Sequence, residues 1–587
     1  MKRTDFSVDW LFAACAPDTE LLPWNAQFTP VDLPHDWQIR HADDLYRDGT
    51  LFYRKYFFVT DVPGIRRMLW FGGAYMDTTV FVNGTEVGQW KYGYTSFWFD
   101  ITDALHEGQN EVLVRCNLRH PNSRWYSGAG LYRNVELWEA PDLHLMPDGL
   151  YVAAKEGDNG AWTVAVTAEA GSVTAAITGR TLTLHLTDDN GSLLGTASIP
   201  ADAWAALPSP DGWRTGKETA IYKASHVFTL QDPALWDLDA PNFYHITAEL
   251  TGADGVTDTL TTRFGCRTIE ATPDCGLLVN HKRVLIKGVC IHHDFGCLGS
   301  AFEYSAAKRQ LEILKSMGVN SIRTGHTPPA PQFMDLADEM GILMDVESFD
   351  CWRRGKNPYD YGRFFDEWQE KDVAAWIRRD RNHPSLLFWC IGNEIYDTHA
   401  GSEGADTMRM LLAEVAAHDP ARNGIPTLGS NYMPWENTQH CADIIKVAGY
   451  NYGERLYASH HEKHPDWVIY GSETSSIVQS RGIYHFPLSQ SLLSDDDLQC
   501  SSLGNSRTSW GAESWDVCLQ SEQRWPFTLG QYLWTGWDYI GEPTPYHTRS
   551  SYFGTIDTAG FPKDAYYVVQ AAWLDPKTHP MVHLFPY

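Results

Sequence analysis

The chain has 587 residues, and 46 Lys and Arg against 74 Asp and Glu give it a formal net charge of −28. This length is too great for one hydrophobic core and predicts three or four domains, while 43% hydrophobic and 20% charged residues are typical of a folded globular protein. Phosphate binding needs clustered Lys and Arg, and the sequence shows no basic stripe, so we predict neither nucleic acid nor membrane as a partner.

The first half of the chain predicts two β domains. In residues 1–140, short apolar runs such as 51–59 alternate with turn signals, among them the hairpin signal Asn83-Gly84, which is typical of a sandwich or jelly roll. Residues 141–268 keep this rhythm with loops rich in Gly, Asp and Pro. They predict an immunoglobulin-like β-sandwich that serves as a spacer.

Residues 269–587 show a different pattern of strand, loop and helix, which is typical of a (β/α)₈ TIM barrel. The predicted strands are 283–291, 319–325, 342–347, 386–392, 426–430, 444–450, 467–472 and 530–537. The predicted helices are 303–317, 331–340, 366–382 and 405–418. A long insertion at 475–529 separates the last two strands, and we expect it to be a functional lid or disordered.

Two glutamates stand at the ends of predicted barrel strands. Glu394 follows the fourth strand and its neighbour Asn393, and Glu473 follows the seventh. TIM barrels place catalytic residues at the C-terminal ends of their strands, and strands four and seven lie across the barrel mouth from each other. Two carboxylates there can flank one glycosidic bond, and a separation of about 5–5.5 Å favours a retaining mechanism. Asp345 and Glu347 on the third strand are the competing pair, with a structural role as the other interpretation.

Further candidates stand at the ends of other strands. His292, His293 and Asp294 end the first predicted strand, and His326 ends the second. Such a cluster can form a metal site, a rim that binds sugar hydroxyls, or part of the core. Because other metal-ligand spacings are lacking, we favour the hydroxyl-binding rim and predict no metal and no cofactor.

Cysteines and the N-terminus bear on the cell compartment. The 11 cysteines are scattered, without a C-x-x-C pair or zinc-site spacing, and most lie in apolar runs. Free thiols of this kind indicate a reducing compartment. The N-terminus lacks the hydrophobic segment of a signal peptide, and no run approaches the roughly 20 apolar residues of a membrane span. We therefore expect a cytoplasmic protein.

Several motifs together carry a family resemblance. They are LPHDW at 33–37, SRWYSGAGLYRNV at 123–135, KGV to HHD at 287–294, RTGH at 323–326, RNHPS at 381–385, GNE at 392–394 and GSE at 471–473. With these motifs the chain resembles glycoside hydrolase family 2, the family of β-galactosidases and β-glucuronidases, over essentially its whole length. The resemblance implies a jelly-roll sugar-binding domain, an immunoglobulin-like domain and a catalytic barrel.

The resemblance also implies roles for single residues. By position, Glu394 matches the family's acid/base and Glu473 its nucleophile. Asn393 matches a residue that contacts the sugar 2-hydroxyl, His326 a sugar-site histidine, and Trp537 the platform of the sugar subsite.

Four further substrate-binding candidates complete the predicted site. Trp534 near the end of strand eight is a second candidate for the platform, with a core tryptophan as the other interpretation. Asn451 and Tyr452 follow strand six. Arg124 lies in a first-domain loop that in shorter family members reaches over the barrel mouth, although a surface or interdomain salt bridge is the alternative for this arginine.

Two departures from the family pattern bear on the sugar. Family glucuronidases grip the uronic carboxylate with an Asn-x-Lys motif after strand eight, and the comparable stretch 550–557 lacks it, which favours a neutral sugar. Some galactosidases carry Asp-Asn after strand five, where this chain has Ser430 and Asn431, and this loosens the galactose assignment. The chain ends at 585–587, just past the barrel, either as a minimal member or as a truncated one.

The predicted activity is that of a retaining exo-β-glycosidase, most similar to the shorter β-galactosidases, acting on a small-molecule or oligosaccharide β-galactoside. The alternatives are a β-glucuronidase, another β-glycosidase of the family, or a non-catalytic carbohydrate-binding protein. The sequence leaves homo-oligomer formation open.

Overall fold

The computed structural model describes residues 1–584 apart from 42, 61–63, 174–176, 208–212, 214, 253–254, 488, 490–492, 495, 507–512 and 549. Two regions of antiparallel β-sheet precede a closed barrel of eight parallel strands, and this confirms the predicted fold class. The predicted end of the chain at 585–587 lies outside the described residues. Among the helices described, none is long and apolar enough to span a membrane.

The first β region consists of two antiparallel sheets. The six-stranded sheet has the order Thr29–Val31, Trp10–Cys15, Gly49–Val59, Gly108–Leu118, Thr78–Val82 and Thr85–Trp90. The four-stranded sheet has the order Lys2–Asp5, Val135–Pro141, Ile65–Phe71 and Phe97–Asp100. Alternate residues of Gly108–Leu118 are buried, as expected for a strand with one face toward a core. The Asn83-Gly84 turn joins two paired strands, as the sequence predicts; the jelly-roll topology stays a prediction.

The second β region likewise consists of two antiparallel sheets, and here each sheet has four strands. One contains His144–Glu156, Ala161–Ser172, Ala220–Gln231 and Ala205–Ala206, and the other contains Leu193–Pro200, Thr181–Asp188, Tyr244–Gly252 and Gly255–Phe264. Their inward residues, among them Val164, Leu184 and Ile246, form a core of their own. The predicted domain boundaries near residues 140 and 268 fall at the end of one strand and between two strands, and they stay predictions.

The barrel strands are short and parallel, and most of their residues are buried. In chain order, barrel strands one to eight are Ile286–Ile291, Ser321–Thr324, Leu343–Glu347, Leu386–Asn393, Ile425–Ser430, Val447–Asn451, Val468–Ser475 and Gly530–Trp534. All eight residues of strand four are buried, as expected when helices cover the outside of a parallel barrel. The predicted first strand is divided, because Lys282–Val284 belongs to a separate small sheet with Ile269–Thr272 and Gly276–Val279.

The α-helices of the described residues all lie in the barrel region. They are Tyr304–Ser316, Pro331–Met340, Phe365–Asp380, Asp397–Ala400, Glu403–His418, Glu436–Ile445, Tyr457–Lys463, Trp515–Arg524 and Asp564–Trp573. The four predicted helices agree within two residues at each end. The helix Trp515–Arg524 lies inside the predicted lid, yet the Cys518 carbonyl accepts a hydrogen bond from Nε2 of Gln531 in strand eight at 2.9 Å. This part of the insertion is therefore a packed element of the barrel.

Candidate active site

The carboxyl ends of the barrel strands surround a cavity of about 370 Å³. It is lined by Arg124, His326, Glu394, Asn431, Asn451, Tyr452, Arg455, Glu473, Trp534, Glu542 and Phe553. Seven of these eleven residues are predicted site residues, drawn from the first β region and from five barrel strand ends. The cavity brings the two strand-end glutamates together.

Glu394 follows strand four in a strained backbone conformation. Its φ of 46° lies in the left-handed region, which costs a residue with a side chain about 1–3 kcal/mol and is often found at functional sites. Oε1 accepts a hydrogen bond from Nδ2 of Asn451 at 3.0 Å, and Oε2 lies 3.4 Å from Nη1 of Arg124. One carboxylate oxygen thus contacts a residue of the barrel, and the other contacts a residue of the first β region.

Glu473 in strand seven has a different set of donors. Its Oε1 accepts from Nη1 of Arg323 at 2.9 Å, and its Oε2 accepts from the Tyr452 hydroxyl at 2.9 Å. Burial raises the pKa of Glu473 to about 7, and the nearby charge of Glu394 acts in the same direction, while Arg323 opposes both. The carboxyl group therefore titrates near neutral pH.

Arg323 in strand two connects several groups beneath the cavity. The guanidinium is fully buried, and besides Glu473 its Nη2 donates to Oε1 of Glu347 at 2.8 Å and to Oδ1 of Asn393 at 2.9 Å. The rigid fork of five donors suits this multiple contact. Although the RTGH motif contains Arg323, it was not among the predicted site residues.

The competing carboxylate pair lies below the cavity. Asp345 and Glu347 are fully buried and are absent from the cavity lining. Glu347 is bound by Arg323 and, at 2.9 Å, by Nδ1 of His326, and burial raises the pKa of Asp345 to about 6. These contacts give the pair a supporting place beneath the cavity.

His326 reaches the cavity as a neutral ring. Burial and the nearby charge of Arg323 lower its pKa well below the ordinary value. A neutral ring donates from Nδ1 to Glu347, so Nε2 is left as an acceptor, 3.3 Å from Nδ2 of Asn393. The ring is stacked on Trp534, with centroids 5.3 Å apart and planes 5° apart.

Five predicted site residues are absent from the cavity lining: His292, His293, Asp294, Asn393 and Trp537. His293 contacts the Ser127 carbonyl with Nε2 at 3.0 Å, and Asp294 accepts from the Gly296 amide at 3.2 Å. His292 lies against the rings of Trp125 and Tyr539, with centroids 5.3 and 4.1 Å away. The predicted hydroxyl-binding rim is therefore reduced to His326.

Trp537, one of the two tryptophans predicted for the sugar platform, does not line the cavity. Trp537 is 5% exposed and packs in the core, where it forms a bridge with Ile556. Trp534 lines the cavity instead. Of the two candidates for the sugar platform, Trp534 is therefore the one that lines the cavity.

Arg124 extends the first β region into the barrel mouth. Its Nη2 donates to Oδ1 of Asp350 at 2.9 Å. Its Nη1 lies 3.4 Å from Oε2 of Glu394 and 4.0 Å from Oε1 of Glu542. The flanking loop is held by the Tyr126 amide, which donates to the Ile540 carbonyl at 3.0 Å. Arg124 is thus both an interdomain ion-pair residue and part of the cavity lining.

Four lining residues were not predicted as site residues: Asn431, Arg455, Glu542 and Phe553. Each lies a few residues beyond a barrel strand or in the segments after strand eight. Glu542 follows the two-residue strand Tyr539–Ile540, and its carboxylate accepts a hydrogen bond from the Tyr539 hydroxyl. For Asn431 and Arg455, the available signal was position alone, that of a polar residue shortly after a strand end.

A group of residues remote from the cavity has the spacing of a metal site. Within the described part of the chain, Asp335, Asp338 and His383 are the set whose ligand atoms lie close enough together to share an ion. Nη2 of Arg263 lies 3.3 Å from Asp335 and 3.1 Å from Asp338, and His383 contacts Asp338 at 2.7 Å. These cations already balance the carboxylates, so the group is an ion-pair network.

A larger cavity of about 630 Å³ lies at the opposite end of the barrel strands. Its lining includes residues 381–384 and 421–423, which precede strands four and five, together with parts of the second β region. Neither strand-end glutamate lines it. The paired carboxylates therefore single out the smaller cavity as the candidate active site.

The comparisons with known proteins agree with this geometry. Residues 271–461 match the model "Glycosyl hydrolases family 2, TIM barrel domain", and residues 149–267 match "Glycosyl hydrolases family 2". The chain is 35% identical to Beta-galactosidase BoGH2A of Bacteroides ovatus, covering 100% of this chain and 73% of that protein. It is 26% identical to a Beta-glucuronidase of Bacteroides fragilis, covering 96% of this chain and 82% of that protein.

Solved structures show the same similarity. The crystal structure of a beta-glycosidase from Bacteroides vulgatus superposes with a TM-score of 0.84 at 28% identity, covering 100% of this chain and 76% of that one. A family 2 member from Bacteroides cellulosilyticus gives a TM-score of 0.83 at 27% identity, covering 98% of this chain and 71% of that one. The likeness thus includes both β regions as well as the barrel.

Proposed function

The chain belongs to glycoside hydrolase family 2, and we propose that it is a retaining exo-β-galactosidase that uses Glu473 as nucleophile and Glu394 as acid/base. The observation that carries this proposal is the shared cavity of the two glutamates, in which each carboxylate has its own set of donors. Two differently held carboxylates on one cavity are what a double displacement requires.

The donors around each glutamate support the division of roles. Arg323 and the Tyr452 hydroxyl both donate to Glu473, and such donors stabilise a carboxylate that must be ionised to attack the anomeric carbon. Glu394 instead lies beside Asn451 and Arg124. From there its carboxyl group can reach the leaving oxygen.

The proposed reaction has two steps. In the first, a Glu473 oxygen bonds to the anomeric carbon while the bond to the leaving oxygen breaks, and Glu394 gives its proton to that oxygen. In the second, Glu394 takes a proton from water, the water oxygen bonds to the anomeric carbon, and the bond to Glu473 breaks. Two inversions give net retention of configuration.

The cavity lining supports a neutral sugar. Trp534 offers an apolar ring, the neutral His326 adds no charge, and Asn431 offers an amide that can donate to and accept from hydroxyl groups. Phe553 lines the cavity in the stretch where family glucuronidases carry their Asn-x-Lys motif. Glu542 adds a third carboxylate, which opposes a uronic acid by charge repulsion.

β-Glucuronidase is the second candidate, because Arg455 also lines the cavity and its guanidinium can attract a carboxylate. Its Nη1 donates to the Tyr452 carbonyl at 2.9 Å, and this bond holds the side chain at the mouth. The similarity to a protein named Beta-glucuronidase agrees with this alternative.

The cytoplasmic location also stays a proposal. It rests on eleven free cysteines, eight of which are buried.

A panel of matched chromogenic substrates tests the proposal. We expect the highest kcat/KM for the β-galactoside among the β-galactoside, β-glucuronide, β-glucoside and β-mannoside of one aryl leaving group. A preference for the glucuronide would overturn the sugar assignment. Failure to hydrolyse any β-glycoside, combined with measurable sugar binding, would favour a non-catalytic carbohydrate-binding protein.

A further inference from the structure

A cluster of aromatic side chains lies beside the proposed acid/base. We call Tyr396, His399, Tyr432 and Trp435 the aromatic patch. Tyr396 stands two residues after Glu394 in the segment that follows barrel strand four, and Tyr432 and Trp435 lie in the segment that follows strand five. Two separate connections therefore bring aromatic rings to one place on the barrel mouth.

The rings of the aromatic patch contact one another. The centroids of His399 and Tyr432 are 4.1 Å apart, those of Tyr396 and Tyr432 are 6.2 Å apart, and those of His399 and Trp435 are 5.5 Å apart. Trp435 is nevertheless 56% exposed and Tyr396 is 38% exposed. Aromatic side chains with this much solvent exposure do not serve core packing. Exposed aromatic rings that cluster together often mark binding surfaces.

Residues adjacent in the chain link the aromatic patch to the cavity. Asn431 lines the cavity and is the neighbour of Tyr432 in the chain. Burial, and after it the charge of Glu394, raise the pKa of Tyr432 to about 12, as expected for a phenol close to that carboxylate. On the other side, Nζ of Lys356 donates to the Asn393 carbonyl at 3.0 Å and lies 5.9 Å from the centre of the Tyr396 ring.

We propose that the aromatic patch is the aglycone subsite and binds a sugar residue that carries the leaving oxygen. The inference rests on the proposed role of Glu394. An acid/base must lie within hydrogen-bond reach of the leaving oxygen, so the leaving group occupies the Glu394 side of the cavity. Tyr396 stands two residues after Glu394, which places the aromatic patch on that side.

The chemistry of the aromatic patch favours a sugar as leaving group. A pyranose ring has an apolar C–H face that packs on an aromatic ring, and its hydroxyls need hydrogen-bond partners at the rim. The phenol groups of Tyr396 and Tyr432 and the imidazole of His399 supply such partners. Because Trp435 is open to solvent, the subsite also accommodates a chain that continues beyond the first aglycone sugar.

The test compares substrates that differ only in the leaving group. β-Galactosyl fluoride and methyl β-galactoside both have leaving groups too small to reach the aromatic patch, and the methyl glycoside needs the proton of Glu394, whereas a β-galactosyl disaccharide needs that proton and also places a sugar on the aromatic patch. For Trp435→Ala and for Tyr396→Ala, we expect the ratio of kcat/KM for the disaccharide to kcat/KM for the fluoride to fall about tenfold or more. Trp24→Ala is the matched control, since Trp24 is 97% exposed in the first β region, and it should keep the wild-type ratio.

Each outcome of this test decides the inference. An unchanged ratio in both variants, or an equal loss for methyl β-galactoside and the disaccharide, would overturn it. If only aryl galactosides lose activity relative to the fluoride, the aglycone is an aromatic group and the sugar assignment is wrong. If the wild-type enzyme hydrolyses no galactoside, the proposed sugar fails by itself, and the same ratio is measured with fluoride and disaccharide of the sugar that the panel selects.

Discussion

Replacement of Arg323 should damage stability and the titration of the nucleophile together. The fully buried guanidinium donates to Glu473, Glu347 and Asn393 at 2.8–2.9 Å. Removing one partner of a buried ion pair costs about 3–5 kcal/mol, because the remaining charge is buried without compensation. We therefore expect Arg323→Ala to lower the thermal midpoint strongly, and the more conservative Arg323→Lys to lower it less.

The pH dependence of activity gives a second readout. The nucleophile must be ionised, and burial raises the pKa of Glu473 to about 7, so wild-type kcat/KM should fall about tenfold per pH unit below neutrality. The Arg323 guanidinium opposes this rise. An ammonium group cannot contact both carboxylates in the same way, so Arg323→Lys should move the acid limb upward by about one pH unit, or roughly 1.4 kcal/mol.

The assay measures kcat/KM from pH 5 to 9 together with thermal unfolding. Arg353→Ala is the matched control, because Arg353 forms an exposed ion pair with Asp366, and such pairs contribute about 0–1 kcal/mol. An Arg323→Lys variant with a wild-type acid limb, or a wild-type limb near pH 4–5, would refute the reasoning about burial and Arg323.

Three further predictions concern the cavity and its surroundings. Arg124→Ala should lower kcat/KM by about tenfold, roughly 1.4 kcal/mol. The thermal midpoint should change little, because Lys356 still pairs with Asp350 at 2.7 Å. Arg119→Ala serves as the control, and wild-type kinetics in Arg124→Ala would place Arg124 outside the site. Glu394→Gln should reduce hydrolysis most for substrates with poor leaving groups, whereas an equal loss for reactive aryl leaving groups would contradict its role as acid. Exhaustive chelation should leave activity unchanged, and a loss that one divalent ion restores would reverse the prediction that no metal is needed.

The fold and the two glutamates could be predicted from the sequence for physical reasons. Buried parallel strands appear in the sequence as continuous apolar runs. A charged residue at the C-terminal end of such a run lies at the barrel mouth, and this position does not depend on the conformation of the loops. Glu394 and Glu473 are of this kind, and both line the cavity. The helix Pro331–Met340 was equally clear, because it begins with proline and ends at Gly341, whose φ is 63°.

The direction of side chains beyond a strand end could not be predicted. His292, His293 and Asp294 are consecutive, and once the strand ends its alternation no longer tells which side chain faces the cavity. The same limit applies to the choice between Trp534 and Trp537. Glu542 and Phe553 reach the cavity from segments after strand eight that are joined by the pair Tyr539–Ile540 and Ser550–Ser551, a contact between residues distant in sequence.

The most direct test of the central proposal is to trap the glycosyl-enzyme. A 2-deoxy-2-fluoro-β-galactosyl fluoride slows both steps but leaves a good leaving group, so the covalent intermediate should accumulate, and peptide mass spectrometry should find one adduct on Glu473. An adduct on Glu394, Asp345 or Glu347, or an anomerically inverted product without any adduct, would contradict the assignment of Glu473 as the nucleophile of a retaining enzyme.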